Sequence, residues 1–158
     1  QVCIHGVKTY LSPIMDMFNG KIIAYTISRS PNLKITIDML KSAFRKQTKF
    51  NGLIMHSDQG WHYQHGIYQK MLKDKGIVQS MSRKGNCLDN SMMENFFGLM
   101  KNELLYVNHF DSIEDFENEL KKYIWWYNNK RIKLRLKGMS PAQYRAQYYK
   151  ELKNEHLI

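Results

Sequence analysis

The sequence predicts an α/β fold in which helices flank a mixed sheet, and two observations carry that prediction. The first thirty residues form three strand-like segments, and residues 32–106 then alternate helical patterns with short strand-like runs. Strands followed by alternating helices and strands are typical of an α/β sandwich, because helices cover the apolar faces of the sheet. With 158 residues, 43% of them hydrophobic, the chain is long enough to bury the core of one such domain.

Strands account for the beginning of the chain. The first predicted strand ends within residues 2–6, the second covers 8–18 and the third covers 21–28. Asn19-Gly20 separates the last two, and both residue types tolerate a positive φ, which favours a hairpin turn. A helix is then predicted from residue 32, with an apolar face formed by Leu33, Ile37, Leu40 and Phe44.

The middle of the chain alternates strand and helix. Residues 52–58 are a short apolar run ending in polar residues, which predicts a buried strand whose C-terminal end opens into a loop. Residues 67–75 predict a helix closed by Gly76, since glycine is favoured just past a helix end. The next strand is predicted over 77–81, and a polar loop follows over 82–90.

Helices account for the remainder. One is predicted from Ser91 to about Tyr106, and Ser112 with Asp115 forms a capping-box-like start for a long helix. The apolar face of that long helix is formed by Ile113, Phe116, Leu120, Ile124 and Tyr127. Residues 128–138 read as a basic linker, and Ser140-Pro141 predicts the start of a short last helix.

The charge of the chain favours nucleic acid as a partner. Lys and Arg number 24 against 14 Asp and Glu, a net charge of +10, and neutralising phosphates releases condensed counterions. A merely basic protein or an acidic membrane surface are the alternatives, but no segment approaches 18 unbroken apolar residues. Cys3 and Cys87 are too few for a disulfide framework, which predicts a reducing cytoplasm. His62 and His65 have the spacing of half a zinc site, but no cysteine pair accompanies them.

Two carboxylates, Asp58 and Glu94, lie at positions that suit a catalytic metal site. Asp58 lies where the predicted strand gives way to a loop, where α/β sheets present reactive groups and where Mg²⁺ could find an oxygen ligand. The alternative is a loop aspartate that caps its own backbone. Glu94 lies early in the next helix and shares a face with Gly98 and Lys101, at i, i+4 and i+7. The alternative there is a first-turn glutamate complementing the helix dipole.

Thirty-five residues separate Asp58 from Glu94, and the chain resembles the integrase core of insertion-sequence transposases related to retroviral integrases. The signature of that family is Asp, Asp, thirty-five residues, Glu. The resemblance runs in order through residues 10–16 (YLSPIMD), 56–60 (HSDQG), 80–91 (SMSRKGNCLDNS), 94–97 (ENFF), 127–131 (YNNKR) and 138–141 (GMSP).

The resemblance implies a ribonuclease-H-like fold and phosphoryl transfer that depends on two Mg²⁺ or Mn²⁺ ions. Element ends would be nicked and joined to target DNA, with Asp58 holding one ion and Glu94 the other. Lys101 corresponds to a family position that contacts phosphates of the element end. Residues 1–106 would form the catalytic core and 107–158 a helical extension of the same domain. Joining two ends implies at least a homodimer, working at the bacterial nucleoid.

The first aspartate of the family signature has no counterpart in this sequence. In relatives it lies ahead of the segment matching Tyr10 to Asp16, so we expect it upstream of Gln1, and the absence of an initiator Met fits a fragment. Asp16 is the nearest substitute, although support of the turn is the preferred interpretation. Alternatives to an active transposase core are a DNA-binding remnant without chemistry, and a nuclease of the same fold that cuts without joining.

Several other residues are candidates for contact with DNA. Arg83, Lys84 and Asn86 lie in the loop before Glu94, although an ordinary polar loop is the alternative. Residues 130–137 hold five cations without an acid, beside an aromatic run, and cations next to aromatics suit nucleic-acid binding. These are Lys130, Arg131, Lys133, Arg135 and Lys137, next to Trp125, Trp126 and Tyr127. The alternative is that the tryptophans belong to the core, and Trp61 is interpreted as either an active-site wall or a packing residue.

Overall fold

A computed structural model of the chain describes residues 1–46, 50–83 and 90–155. Within these ranges strands and helices follow one another in an order close to the predicted one. The elements are β1 (Val2–Ile4), β2 (Val7–Met15), β3 (Ile22–Ser28), α1 (Leu33–Lys46), β4 (Ile54–Ser57), α2 (Trp61–Gln64), α3 (Gly66–Lys73), β5 (Val78–Met81), α4 (Ser91–Met100), α5 (Ile113–Asn129) and α6 (Pro141–Glu155). A π-helical turn covers Lys101–Leu105, and a 3-10 turn covers Leu134–Leu136.

Both antiparallel and parallel strand pairing occur. Strands β1, β2 and β3 are neighbours in that order, and β1 pairs with β2 antiparallel, with Val2 opposite Thr9. Strand β4 pairs with β5 in parallel, from Ile54 opposite Val78 to Ser57 opposite Met81. The predicted α/β class, with strands of both orientations flanked by helices, is confirmed.

The prediction that the strand at residues 52–58 is buried was wrong. The observed strand β4 leaves the Ile54 side chain 64% exposed, and its partner Val78 on β5 is 58% exposed. Directly opposed residues point to the same face of a sheet. In the described part of the chain β4 pairs with β5 alone, so this face of a two-stranded ladder is open to solvent.

The chain forms two compact units, and the first comprises Gln1–Ile14 with Ala24–Gly98. Its core includes Ala24, Leu40, Tyr68, Leu72 and Phe96, each buried. The predicted apolar face of α1 is only partly right. Leu40 is buried as expected, but the other fully buried positions on this helix are Ile35, Thr36, Met39 and Ala43. Polar Thr36 is tolerated on this buried face because its hydroxyl donates to the carbonyl of Leu33 at 2.9 Å.

The second unit comprises Met15–Ile23 with Leu99–Ile158. Helix α5 begins as predicted, because the Ser112 side chain accepts a hydrogen bond from the Asp115 amide at 3.0 Å. The predicted apolar face of α5 is confirmed, since all five of its members are buried. Helix α6 is 15 residues long, so the prediction of a short helix was wrong. Ser140 and Gln143 cap its start reciprocally, and neither glycine nor proline follows Pro141 to end it early.

The turn between β2 and β3 is wider than the two-residue hairpin predicted. Strand β2 ends at Met15, and the Gly20 amide donates to the Asp16 carbonyl at 2.7 Å. Gly20 has a φ of +74°, whereas Asn19 does not have a positive φ. Asn19 is fully buried instead, and its side-chain amide donates to the Pro141 carbonyl at 2.8 Å. Tolerance of a positive φ therefore does not explain why an asparagine occupies position 19.

Asn128 satisfies the edge of β3 in a similar way. Its side-chain oxygen accepts from the Ile22 amide at 2.8 Å, and its side-chain nitrogen donates to the Ile22 carbonyl at 2.9 Å. The side chain thus replaces one residue of a neighbouring strand. Among the described residues, no helix is both long and apolar enough to cross a membrane.

Candidate active site

Asp58 lies one residue past the end of β4, as the sequence predicted, and is exposed. Its Oδ1 atom accepts a hydrogen bond from the Gly60 amide at 2.8 Å, and its own carbonyl accepts from the Ser57 hydroxyl at 2.9 Å. Among the described residues its Oδ2 atom has no hydrogen-bond donor. The side chain is therefore oriented by local backbone, and within the described ranges its second oxygen is available to a ligand.

Gly60 is needed for space rather than for backbone conformation, since its φ is −55°. A Cβ atom at this position would lie 2.9 Å from Asp58 Oδ1 and 3.3 Å from the ring of Tyr63. Any larger residue would push the carboxylate away. Burial raises the pKa of Tyr63, and the negative charge of Asp58 raises it further, so the phenol stays neutral beside the carboxylate.

Ser82 connects the segment of Asp58 with the start of α4. Its amide donates to the Ser57 carbonyl at 2.9 Å, and its carbonyl accepts from the Gln59 side chain at 3.1 Å. Its hydroxyl accepts from the side chain of Asn90 at 3.1 Å, one residue before α4 begins. Ser82 is itself buried. Sequence reasoning gave Ser82 no role, although it lies inside a matched motif.

Glu94 lies in the first turn of α4 and is exposed. Phe96 and Met100 on the same helix are buried, so packing of their side chains directs the opposite face of the helix to solvent. Gly98 is also exposed. The sequence predicted an α-helix to about Tyr106, but α4 ends at Met100 and continues as the π-helical turn.

The structure places Asp58 and Glu94 in the same compact unit, at the ends of segments that Ser82 joins. Carboxylate oxygens are the ligands that Mg²⁺ prefers, so the chemistry of these two donors fits a divalent cation. Asp16 lies in the other unit. Its Oδ1 accepts from the Phe18 amide at 2.9 Å and its Oδ2 is paired with Arg145. Within residues 1–46, 50–83 and 90–155, no three His, Cys, Asp or Glu side chains cluster as a metal site.

Trp61 is 54% exposed, so it is not part of the buried core. It begins α2, and its indole stacks on the ring of His62 with centroids 4.2 Å apart. The Nε2 atom of His62 is buried and lacks a partner among the described residues. The indole is thus partly exposed three residues after Asp58.

The candidate DNA-contacting residues differ in their surroundings. Arg83 is exposed, while Lys84 and Asn86 lie outside the described residues. Lys101, at the start of the π-helical turn, and Lys130, after α5, are exposed. Arg131 differs, because its guanidinium is bound by Glu103 with Nε and Nη2 contacts of 2.6–2.9 Å.

The aromatic run on α5 is divided between core and surface. Tyr127 is buried, whereas Trp125 is 59% exposed and Trp126 is 41% exposed. Assignment of the tryptophans to the core was therefore wrong within the described structure. On the buried face of α5 lie instead Tyr123, Ile124 and Tyr127.

Comparison with known proteins identifies the family. Residues 2–87 match one family described as Integrase core domain, and residues 94–155 match a second family with the same description. Together the two matches cover both candidate carboxylates.

Two relatives are insertion-sequence proteins. A protein of Escherichia coli (strain K12) named for the transposase InsK of insertion sequence element IS150 is 45% identical over 149 residues, which are 94% of this chain and 53% of that protein. A transposase-like protein of Haemophilus influenzae is 50% identical over 145 residues, 92% of this chain and 66% of that protein. The chain thus spans between about half and two thirds of these relatives.

Solved structures show the same fold. The HTLV-2 integrase catalytic core domain, solved in complex with magnesium, has a TM-score of 0.68 at 17% identity, over 90% of this chain and 88% of that one. The catalytic core domain of BIV integrase has a TM-score of 0.67 and covers 99% of this chain and 92% of its own. The fold is therefore ribonuclease-H-like, and the chain belongs to the integrase core domain family.

Proposed function

We propose that this chain is the catalytic core of an insertion-sequence transposase that nicks element ends and joins them to target DNA. One observation supports this proposal above the others. Ser82 ties the turn of Asp58 to the start of the helix that bears Glu94, in a chain of the integrase core family. The segments that carry these two carboxylates, with thirty-five residues between them, are thereby joined through one buried serine.

Asp58 and Glu94 would each hold a divalent cation, Mg²⁺ or Mn²⁺. Bound ions of this kind activate an attacking hydroxyl and stabilise the leaving oxygen in phosphoryl transfer. The residues of the chain itself would position the metal ligands and the DNA. The Gly60 amide orients Asp58, the neutral Tyr63 packs beside that carboxylate, and exposed Trp61 offers a flat wall for a nucleotide.

DNA is the proposed partner, both as element end and as target. The net charge of +10 and the exposed side chains of Arg83, Lys101 and Lys130 suit a phosphate backbone. Lys84 and Asn86 remain candidates from the sequence. Because joining two ends requires both in one complex, we propose that at least two copies act together, in the bacterial cytoplasm where the element DNA lies.

A joining assay tests the proposal. A full-length transposase carrying this core is incubated with a pre-cut element-end duplex, plasmid DNA and Mg²⁺. We expect Asp58→Asn and Glu94→Gln each to lower joining by at least about a hundredfold, because metal ligands are lost, while end binding is retained. Asp74→Asn is the matched control, since Asp74 is an exposed carboxylate of the same unit at the end of α3.

The alternatives predict other results in the same assay. A remnant without chemistry binds end DNA but joins nothing in either metal. A nuclease of this fold cuts the duplex and leaves no joined product. Joining by Asp58→Asn at the rate of the unsubstituted enzyme would contradict the assignment of the site.

A further inference from the structure

A half-buried carboxylate in the second unit is engaged by three side-chain donors. Both Oε atoms of Glu103 accept from Arg131 Nε at 2.9 Å, and Oε1 also accepts from Arg131 Nη2 at 2.6 Å. The Tyr123 hydroxyl donates to Oε2 at 2.8 Å. We name Glu103, Tyr123 and Arg131 the Glu103 clamp. Only 28% of the Glu103 side chain and 21% of the Arg131 side chain are exposed.

The electrostatics of the clamp favour a permanent ion pair. Burial opposes ionisation of Glu103, but hydrogen bonds from Arg131 and Tyr123 outweigh it, so the pKa of this carboxyl is lowered. The hydrogen bonds to Glu103 raise the pKa of Arg131. Bidentate pairs between an arginine and a carboxylate are strong and geometrically specific.

The clamp joins two segments of this unit that each carry exposed cations. Glu103 lies in the π-helical turn, which begins with Lys101. Arg131 is the second residue of the segment 130–138, here called the basic loop. The far side of this loop is also fixed, because the Lys133 amide donates to the Met139 carbonyl at 3.1 Å and Ser140 Oγ donates to the Asn129 carbonyl at 3.0 Å.

The five cations of the basic loop fall into two groups. Arg131 is held by the clamp, and Lys133 lies over the Tyr127 ring, with its Nζ 4.2 Å from the centroid. The other three, Lys130, Arg135 and Lys137, are exposed. Two cations therefore anchor the loop while three face solvent.

Direct phosphate binding by Arg131 would conflict with this geometry. Its Nε and Nη2 groups already donate to Glu103, so a phosphate would have to approach a carboxylate closely or displace it. Displacement would leave the Glu103 charge half-buried with Tyr123 as its remaining clamp partner, and such a charge is costly.

We propose that the Glu103 clamp fixes the basic loop against the π-helical turn, so that Lys101, Lys130, Arg135 and Lys137 form one surface for the phosphate backbone of duplex DNA. Arg131 is then a positioning residue, together with Glu103 and Tyr123. This inference rests on the proposed function, because it takes DNA to be the partner.

Glu103→Gln separates positioning from contact, because only the positioning role predicts a loss of affinity. The substitution adds one positive charge to the net charge. If the clamp positions the loop, affinity for an element-end duplex falls, by about fivefold, while the salt dependence of binding stays unchanged. If Arg131 simply contacts phosphate, release from Glu103 leaves affinity unchanged or raises it. Fluorescence anisotropy over a range of salt concentrations measures both quantities.

Three variants complete the experiment. Glu119→Gln is the matched control, since it adds the same charge by breaking the exposed Glu119–Lys122 pair on α5, and we expect no change. Lys130→Gln removes an exposed cation, and its salt-dependence slope should fall by about 0.9. The exchange Glu103→Arg with Arg131→Glu restores the pair with reversed polarity and should recover at least part of the affinity lost in Glu103→Gln.

Limited trypsin digestion gives a readout without DNA. We expect Glu103→Gln to be cut faster than the unsubstituted chain at Lys130, Arg135 or Lys137, and the exchanged pair to be protected again. The inference is overturned if trypsin cuts Glu103→Gln and the unsubstituted chain equally fast and Glu103→Gln binds DNA as tightly or more tightly. It is also overturned if Glu103→Gln is cut faster but loses no affinity for DNA. If neither the unsubstituted chain nor Lys130→Gln binds DNA above background, the proposed function fails, and digestion alone then decides whether the clamp fixes the loop.

Discussion

Asp58 in the first unit and Glu103 in the second are both carboxylates, yet their surroundings differ in kind. Asp58 is exposed, and its described hydrogen-bond donor is one backbone amide on Oδ1. Glu103 is half-buried, and an arginine and a tyrosine engage both of its oxygens. A carboxylate with a free oxygen can accept a divalent cation, whereas one saturated by side-chain donors stabilises the fold. The partners of a carboxylate, rather than its position in a motif, separate these two roles.

The largest expected effect is on stability. Glu103→Ala should lower the free energy of unfolding by about 2 kcal/mol, because it strands Arg131 and the Tyr123 hydroxyl in a half-buried site. Asp58→Ala should change it by less than about 0.5 kcal/mol, since the side chain is exposed. Urea unfolding followed by tryptophan fluorescence measures both. Equal losses in the two variants would remove the distinction drawn between the carboxylates.

A smaller effect is expected at Gly60. The added methyl group of Gly60→Ala would lie 2.9 Å from Asp58 Oδ1, so the carboxylate must move away. Displacements of about 1 Å near reacting groups cost up to about a hundredfold, and we expect about a tenfold loss of joining because this side chain can rotate. Gly66→Ala is the control, since a methyl group there has no neighbour within 4 Å. Unchanged joining in Gly60→Ala would show that the orientation of Asp58 in this turn is not required.

The smallest expected effect is on the free energy of unfolding at low pH. The clamp lowers the pKa of Glu103 from its ordinary value near 4.5, so the unfolded chain binds a proton more readily than the folded chain. The stability contributed by this ionised group is present above about pH 4.5 and is lost as pH falls through the lower folded pKa. The difference in unfolding free energy between the unsubstituted chain and Glu103→Gln should therefore shrink below that pH. A difference that stays constant down to pH 3 would contradict the ionised pair.

Local patterns in the sequence predicted most of the elements. The apolar face of α5 and its Ser112 cap follow from spacing alone, and Asp58 follows a strand end as expected. Contacts between residues distant in sequence could not be read in the same way. The rotated face of α1 and the exposure of Ile54 depend on which neighbours cover them.

The candidate site shows the same division between local and distant information. Motif spacing selected Asp58 and Glu94, but the central place of Ser82 depends on hydrogen bonds to residues 23 and 8 positions away. Likewise Arg131 reads as one more cation in a basic run until its partner, 28 positions earlier, is known. A charge run in a sequence does not distinguish side chains that face solvent from those that hold the loop.

The buried amides of Asn19 and Asn128 have a consequence for the order in which the molecule folds. Asn19 donates to Pro141, 122 positions later, and Ile22 is bound by Asn128, 106 positions later. On a ribosome, the hairpin region emerges long before either partner has been synthesised, and closing such long loops is entropically costly. This turn therefore completes its hydrogen bonding only after residues 128 and 141 have been made.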